Sequence, residues 1–185
     1  MKGIFFATIM ATIVLVGACR NGGTGTDLPP TSGTATIDSR VVNFHASGFS
    51  FDQGAVVEIS DSSNIIPDIL LLVYMNETGA ILGVFLARPD SLVPSFQLLR
   101  RFSTLDSAQA YFDNLGEIPD TTYQDLALPV NVADVWAVKT RRNTFAKILI
   151  TQTVAYRDTS NPSGPTPYGQ ATFDWSYQPN GTRVF

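Results

Sequence analysis

Ala171-Thr172-Phe173-Asp174-Trp175-Ser176-Tyr177-Gln178 alternates apolar and polar side chains without a break. A strand turns successive side chains to opposite faces, so Phe173, Trp175 and Tyr177 share one face and Thr172, Asp174, Ser176 and Gln178 the other. Alternation this regular belongs to a strand with one buried and one wet face. Pro179-Asn180-Gly181 then makes a tight turn with proline at its second position.

Upstream, residues 135–140 (VWAVKT) predict a strand, Arg141-Arg142-Asn143 a turn, and residues 144–156 a long return strand. Residues 158–169, rich in Pro, Ser and Gly, read as a loop. Nearer the start, residues 36–44 alternate imperfectly. Gly48-Phe49-Ser50-Phe51-Asp52-Gln53-Gly54 sets two aromatics on one face before a glycine turn, and residues 55–59 form another short strand. Residues 61–64 read as a loop. Residues 68–75 (DILLLVYM) are nearly continuous apolar sequence, which predicts a strand buried on both faces. Asn76-Glu77-Thr78-Gly79 is a turn, and residues 80–87 return as a strand. One helix is expected: Ser103 is a candidate N-cap with Asp106 three residues later, Leu105, Ala108, Phe112 and Leu115 share a face, and Gly116 supplies the stop. The pattern predicts a mainly β chain, an antiparallel β-sheet sandwich or partly open barrel, with one packed α-helix at 103–116. No internal repeat is visible.

The chain has 185 residues, a net charge of −4 and a single cysteine. Its mildly acidic balance argues against a nucleic-acid partner, which needs clustered Lys and Arg. The only adjacent basic pairs, Arg100-Arg101 and Arg141-Arg142, read as solvated turns or strand ends. One cysteine rules out an internal disulfide framework and cysteine-based zinc sites. No G-x-S-x-G elbow surrounds a serine. Asp61, Asn64 and Asp68 are oxygen donors of the kind a hard cation uses, without the regular loop spacing or a closing Glu. Glu117 and Asp120 flank Ile118-Pro119 in what reads as a loop. No phosphate-cradling Gly loop precedes a helix. No catalytic constellation is visible, so the expectation is a non-enzyme with neither cofactor nor metal.

The lone cysteine closes a different pattern. Met1-Lys2 is a short basic start, residues 3–16 carry no charge, and Val16-Gly17-Ala18-Cys19 follows. The apolar stretch fits a signal-peptide core and is short for a membrane span of about 20 residues. Val16-Gly17-Ala18-Cys19 resembles a bacterial lipobox, which implies cleavage before Cys19 and lipid on its thiol. Two or more acyl chains hold a protein stably at a membrane. The expected organisation is a lipoprotein signal peptide at 1–18, a lipid anchor and Gly/Thr/Pro-rich tether at 19–35, and one β-rich domain at 36–185. Arg20 after the cysteine, in place of an Asp, favours an outer-membrane location in the cell envelope. The expected partners are the membrane, through Cys19, and an envelope protein or small ligand.

Residues 135–148 (VWAVKTRRNTFAKI), with the closing TFDWSYQPNGTRVF and the opening phrases around Gly48–Gly54 and Pro67-Asp68-Ile69, resemble segments of the HmuY-like lipoproteins. The resemblance covers about half the domain and implies an antiparallel β fold. The best-known member of that group binds haem through a pair of histidines. This chain has one histidine, His45, and Met75 is of a type able to serve as a second axial ligand to haem iron; no ligand residue is carried over. Three functions are therefore set side by side: a non-catalytic envelope lipoprotein that binds a partner or small ligand, a haem or metal carrier, and an envelope hydrolase with an unrecognised site.

Overall fold

The computed structural model describes residues 28–42, 45–59, 64–89, 92–160, 162 and 164–185. Among the described residues, eleven strands and one helix follow in chain order: β1 (Ser32–Asp38), β2 (Val41–Val42), β3 (His45–Ser50), β4 (Ala55–Glu58), β5 (Ile69–Met75), β6 (Ile81–Ala87), β7 (Phe96–Arg101), α1 (Leu105–Asn114), β8 (Ala127–Val130), β9 (Asp134–Lys139), β10 (Phe145–Asp158) and β11 (Thr166–Gln178). The first sheet has the order β1-β11-β10-β9-β7. The second has the order β2-β3-β5-β6-β8, with β4 paired to β3. All pairings are antiparallel. The sheets stack as a sandwich and do not close into a barrel.

The alternation in β11 decides this packing. Ala171, Phe173, Trp175 and Tyr177 are buried between the sheets. Phe49 meets Phe173 edge-on at 5.4 Å and lies 5.1 Å from Trp175, joining the second sheet to the first. Side chains of this size remove the most apolar surface from water and add an edge-to-face attraction to that burial. The wet face of β11 is tied to β1: Thr34 Oγ1 donates to Asp174 Oδ1 at 2.6 Å, and the Thr36 and Thr172 hydroxyls pair at 2.9 Å.

The first half of β10 is buried on both faces. Ala146, Ile148 and Ile150 face the second sheet, while Leu149 packs under α1 with Ala108, Phe112, Ala133 and Val135. Lys147, only 5 % exposed, points to the same side as Leu149. Its Nζ donates to the carbonyls of Phe112 at 2.7 Å and Leu115 at 2.8 Å at the C-terminal end of the helix, where the Phe112 carbonyl also accepts the Leu115 N–H at 3.4 Å. Burial lowers the Lys147 pKa, opposed by the charge of Asp113.

Several expectations change. The strand predicted to be buried on both faces, β5, is covered on one side only: Ile69 and Leu71 are buried, while Leu72 on the opposite face is 40 % exposed. The doubly buried strands are β9 and the first half of β10, because α1 covers that part of the first sheet. The helix is capped by Thr104, not Ser103; its Oγ1 accepts the Ser107 N–H at 3.4 Å, and Asp106 lies in the first turn. The helix ends at a C-cap on Leu115, and Gly116 does not take a left-handed conformation; Lys147 instead donates to the Phe112 and Leu115 carbonyls. Leu105 is exposed. Strands β7 and β8 were not expected. The first is interrupted by a bulge between Leu98 and Arg100, and the second is a four-residue edge strand containing Pro129. β1 begins at Ser32, so strand pairing starts four residues inside the stretch read as tether.

Candidate functional site

At one pole of the sandwich, four chain segments meet around a basin of about 270 Å³ lined by Ser50, Asp52, Gln53, Asn64, Ile65, Ile66, Asp68, Arg141 and Arg142. The turn after β3 supplies Asp52, the approach to β5 supplies Asp68, and the β9–β10 hairpin supplies the arginines. Tyr177, near the end of β11, reaches Asp52 from below.

Side-chain bonds hold this pole together. Asp68 is buried, and its two oxygens accept the backbone N–H groups of Phe51 at 2.9 Å and Arg141 at 3.4 Å. It thereby pins the β3–β4 turn to the β9–β10 hairpin. Burial raises the Asp68 pKa above the usual carboxylate range; the two amide donors oppose the shift and the nearby Asp52 adds to it. A second chain of bonds runs through the hydroxyls. The Thr140 Oγ1 accepts the N–H groups of Arg142 at 3.2 Å and Thr144 at 3.3 Å, and bonds the Thr144 hydroxyl at 2.6 Å. Thr144 Oγ1 pairs with Tyr177 Oη at 3.0 Å. The Tyr177 hydroxyl also donates to Asp52 Oδ1, and Arg142 Nε bonds Asp52 Oδ2 at 2.9 Å. Burial and the hydrogen bond to Asp52 push the Tyr177 pKa up to about 12.

Both oxygens of Asp68 and of Asp52 accept a hydrogen bond that braces the loops. The side chains of Arg141 and Arg142 are exposed at the mouth, Arg142 by 75 % even with its Asp52 contact. Guanidinium groups present planar donor forks suited to phosphate or carboxylate.

The residues singled out by sequence divide. Arg141-Arg142 is a turn as expected, but one built into the basin. Arg100-Arg101 ends β7, where Arg101 makes a bidentate pair with the fully buried Asp134 at 2.6 and 2.9 Å, a structural contact. Asn64 and Asp68 both line the basin, and Asp68 is committed to amides; Asp61 lies outside the described residues. Among the described residues, no group of three or more His, Cys, Asp or Glu is placed to hold a metal. Glu117 bridges to Val184 and Asp120 pairs with Arg183 at 2.6 Å, both in loops. His45 opens β3 opposite Val42; its side chain lies outside the described residues. Met75 ends β5 beside the Asn76–Gly79 turn. Cys19 and the signal segment also lie outside the described residues. Sequence reasoning missed Tyr177 as part of the site. The available signal was a tyrosine where the buried face carries Phe and Trp, since a buried hydroxyl needs a partner.

A second hollow of about 380 Å³, with Arg40 over the Tyr168 ring at 4.6 Å, lies at the opposite pole. The 14 residues of β10 separate the two by about 45 Å. Its lining holds no buried charged side chain, whereas the first basin has buried Asp68.

No protein-family model matches the chain, and no curated protein matches it. Among solved structures it is similar to the crystal structure of an apo HmuY analogue from Tannerella forsythia, over 83 % of this chain and 99 % of that one, at 12 % identity and a TM-score of 0.39.

Proposed function

We propose that the chain is a bacterial envelope lipoprotein, acylated on Cys19 and held at the outer membrane, whose β-sandwich binds an anionic small ligand or partner group at the Asp52–Asp68–Arg141–Arg142 basin without transforming it. The observation that carries the anchor is Cys19 directly after a basic start, an uncharged stretch and two small residues. The basin supports the binding role because its carboxylates serve as braces for the loops and its guanidinium groups lie at the mouth.

Metabolic labelling with radiolabelled palmitate tests the anchor. The protein takes up label, and Cys19→Ala abolishes both label and processing; undiminished labelling of that variant sinks the anchor. A haem carrier, the role implied by the sequence resemblance, is separated from this reading by haemin titration. A Soret shift lost in His45→Ala would favour the carrier.

A further inference from the structure

The described chain enters the domain at the pole that carries the basin. The Tyr177 N–H donates to the Thr31 carbonyl at 2.7 Å, and Pro30 packs against Gly54 in the β3–β4 turn. Residues Leu28–Thr31 share a hollow with Phe51, Asp52, Tyr177 and Pro179. Cys19 precedes Leu28 by nine residues, which span about 30 Å at full extension. An acylated Cys19 therefore keeps this pole near the bilayer.

The same pole has the surface such proximity would use. Ile65 and Ile66 are each 42 % exposed at the rim of the basin, and Leu28 is 87 % exposed. Leu92, 71 % exposed, precedes a segment fixed to the hairpin by the Lys139 N–H bond to the Ser95 carbonyl at 2.8 Å. Arg141 and Arg142 line the basin together with Ile65 and Ile66. The described carboxylates of the basin, Asp52 and Asp68, already accept two hydrogen bonds each. Exposed aliphatic side chains beside cations are the composition that enters a headgroup layer, apolar groups at the acyl boundary and cations on phosphates.

We propose that this pole docks on the bilayer that holds Cys19, with the Arg141-Arg142 turn on lipid phosphates and Ile65, Ile66, Leu28 and Leu92 at the acyl boundary. The inference rests on the lipoprotein reading and names its anionic ligand as a membrane phosphate. The opposite pole, with Arg40, Val41 and Tyr168, then faces away from the membrane.

The test uses full-length protein, processed and lipidated in cells, in vesicles of phosphatidylethanolamine and phosphatidylglycerol with brominated acyl chains. Tryptophan is introduced at a rim position (Ile66→Trp) or at the far pole (Val41→Trp, at a site 64 % exposed), and quenching is read against the unsubstituted protein. The expected result is about threefold stronger quenching, with a blue shift, at position 66, and loss of that excess when Arg141→Glu and Arg142→Glu are added. Equal quenching at the two positions in palmitate-labelled protein overturns the docking inference and leaves the anchor intact. Absence of palmitate label overturns both.

Discussion

Tyr177→Phe removes a single oxygen from the centre of the basin scaffold. That oxygen donates to Asp52 and pairs with Thr144 at 3.0 Å. A hydrogen bond to a charged group contributes about 1.5–3 kcal/mol and a neutral one about 1 kcal/mol. Both partners keep some compensation: Asp52 retains Arg142 and a quarter of its side-chain surface in water, and Thr144 retains Thr140. The expected net loss is therefore about 2 kcal/mol, or about 4–8 °C in Tm for a domain of this size. Urea and thermal unfolding at neutral pH measure it. The pH dependence adds a second check. The Tyr177 pKa rises from 10.0 to about 12 on folding, so its contribution is full below pH 10 and is lost as pH rises through 12. The stability gap between wild type and variant must therefore narrow from pH 10 to 12. A loss under about 0.5 kcal/mol at neutral pH, or a gap that stays constant across that window, would refute the role given to the hydroxyl.

Three further substitutions probe the scaffold. Asp68→Asn replaces one of two accepting oxygens with an amide donor facing a backbone N–H, and is expected to cost about 2 kcal/mol at neutral pH by urea unfolding. Because burial raises the Asp68 pKa, its contribution is greatest below pH 3.8 and declines as pH rises through the folded value, so the cost of Asp68→Asn must be larger in acid. Lys147→Met strands the Leu115 carbonyl and leaves the Phe112 carbonyl with only the Leu115 N–H at 3.4 Å, while relieving the burial of an ammonium group; a loss of about 2 kcal/mol with faster amide exchange at the end of α1 is expected, and unchanged stability would mean that desolvation cancels both bonds. Gly48→Ala puts a methyl group against the Ile69 carbonyl, 2.6 Å from Leu70 Cδ2 and 2.8 Å from Pro67 Cβ; thermal unfolding should show a loss of at least about 2 kcal/mol, and a variant as stable as wild type would contradict the close β3–β5 approach.

The fold was legible where one side-chain period persisted. β11 announces itself through Phe173, Trp175 and Tyr177, and the β9–β10 hairpin through its apolar strands and the Arg141-Arg142-Asn143 turn, where Asn143 takes a positive φ of 58°. Residues 96–101 and 127–130 carry no such signal, because a bulge breaks the first and the second is four residues long. The misplaced double burial has a tertiary cause: Leu149 and Leu72 are alike in sequence, and only the landing place of α1 decides which is covered. The basin was less legible than the fold. Asp52, Asp68, Arg142 and Tyr177 come from four separate segments, and local sequence gives no hint that they converge. Asp68 had no role in the sequence beyond an oxygen donor without metal-loop spacing, because its pairing with two amides depends on turns that meet only in the folded chain.

The antiparallel ladder between β1 and β11 has a mechanical meaning. Tension on the chain ahead of Ser32 enters the domain along the axis of β1. Seven residue pairs, from Ser32 with Ser176 to Asp38 with Gln170, connect that strand to its neighbour. A pull along the strand axis shears all seven together, whereas a pull across it would peel them one at a time. The Thr34–Asp174 and Thr36–Thr172 side-chain bonds lie within the sheared zone and share the load. Load applied along the axis of β1 would thus be met by all seven pairs at once.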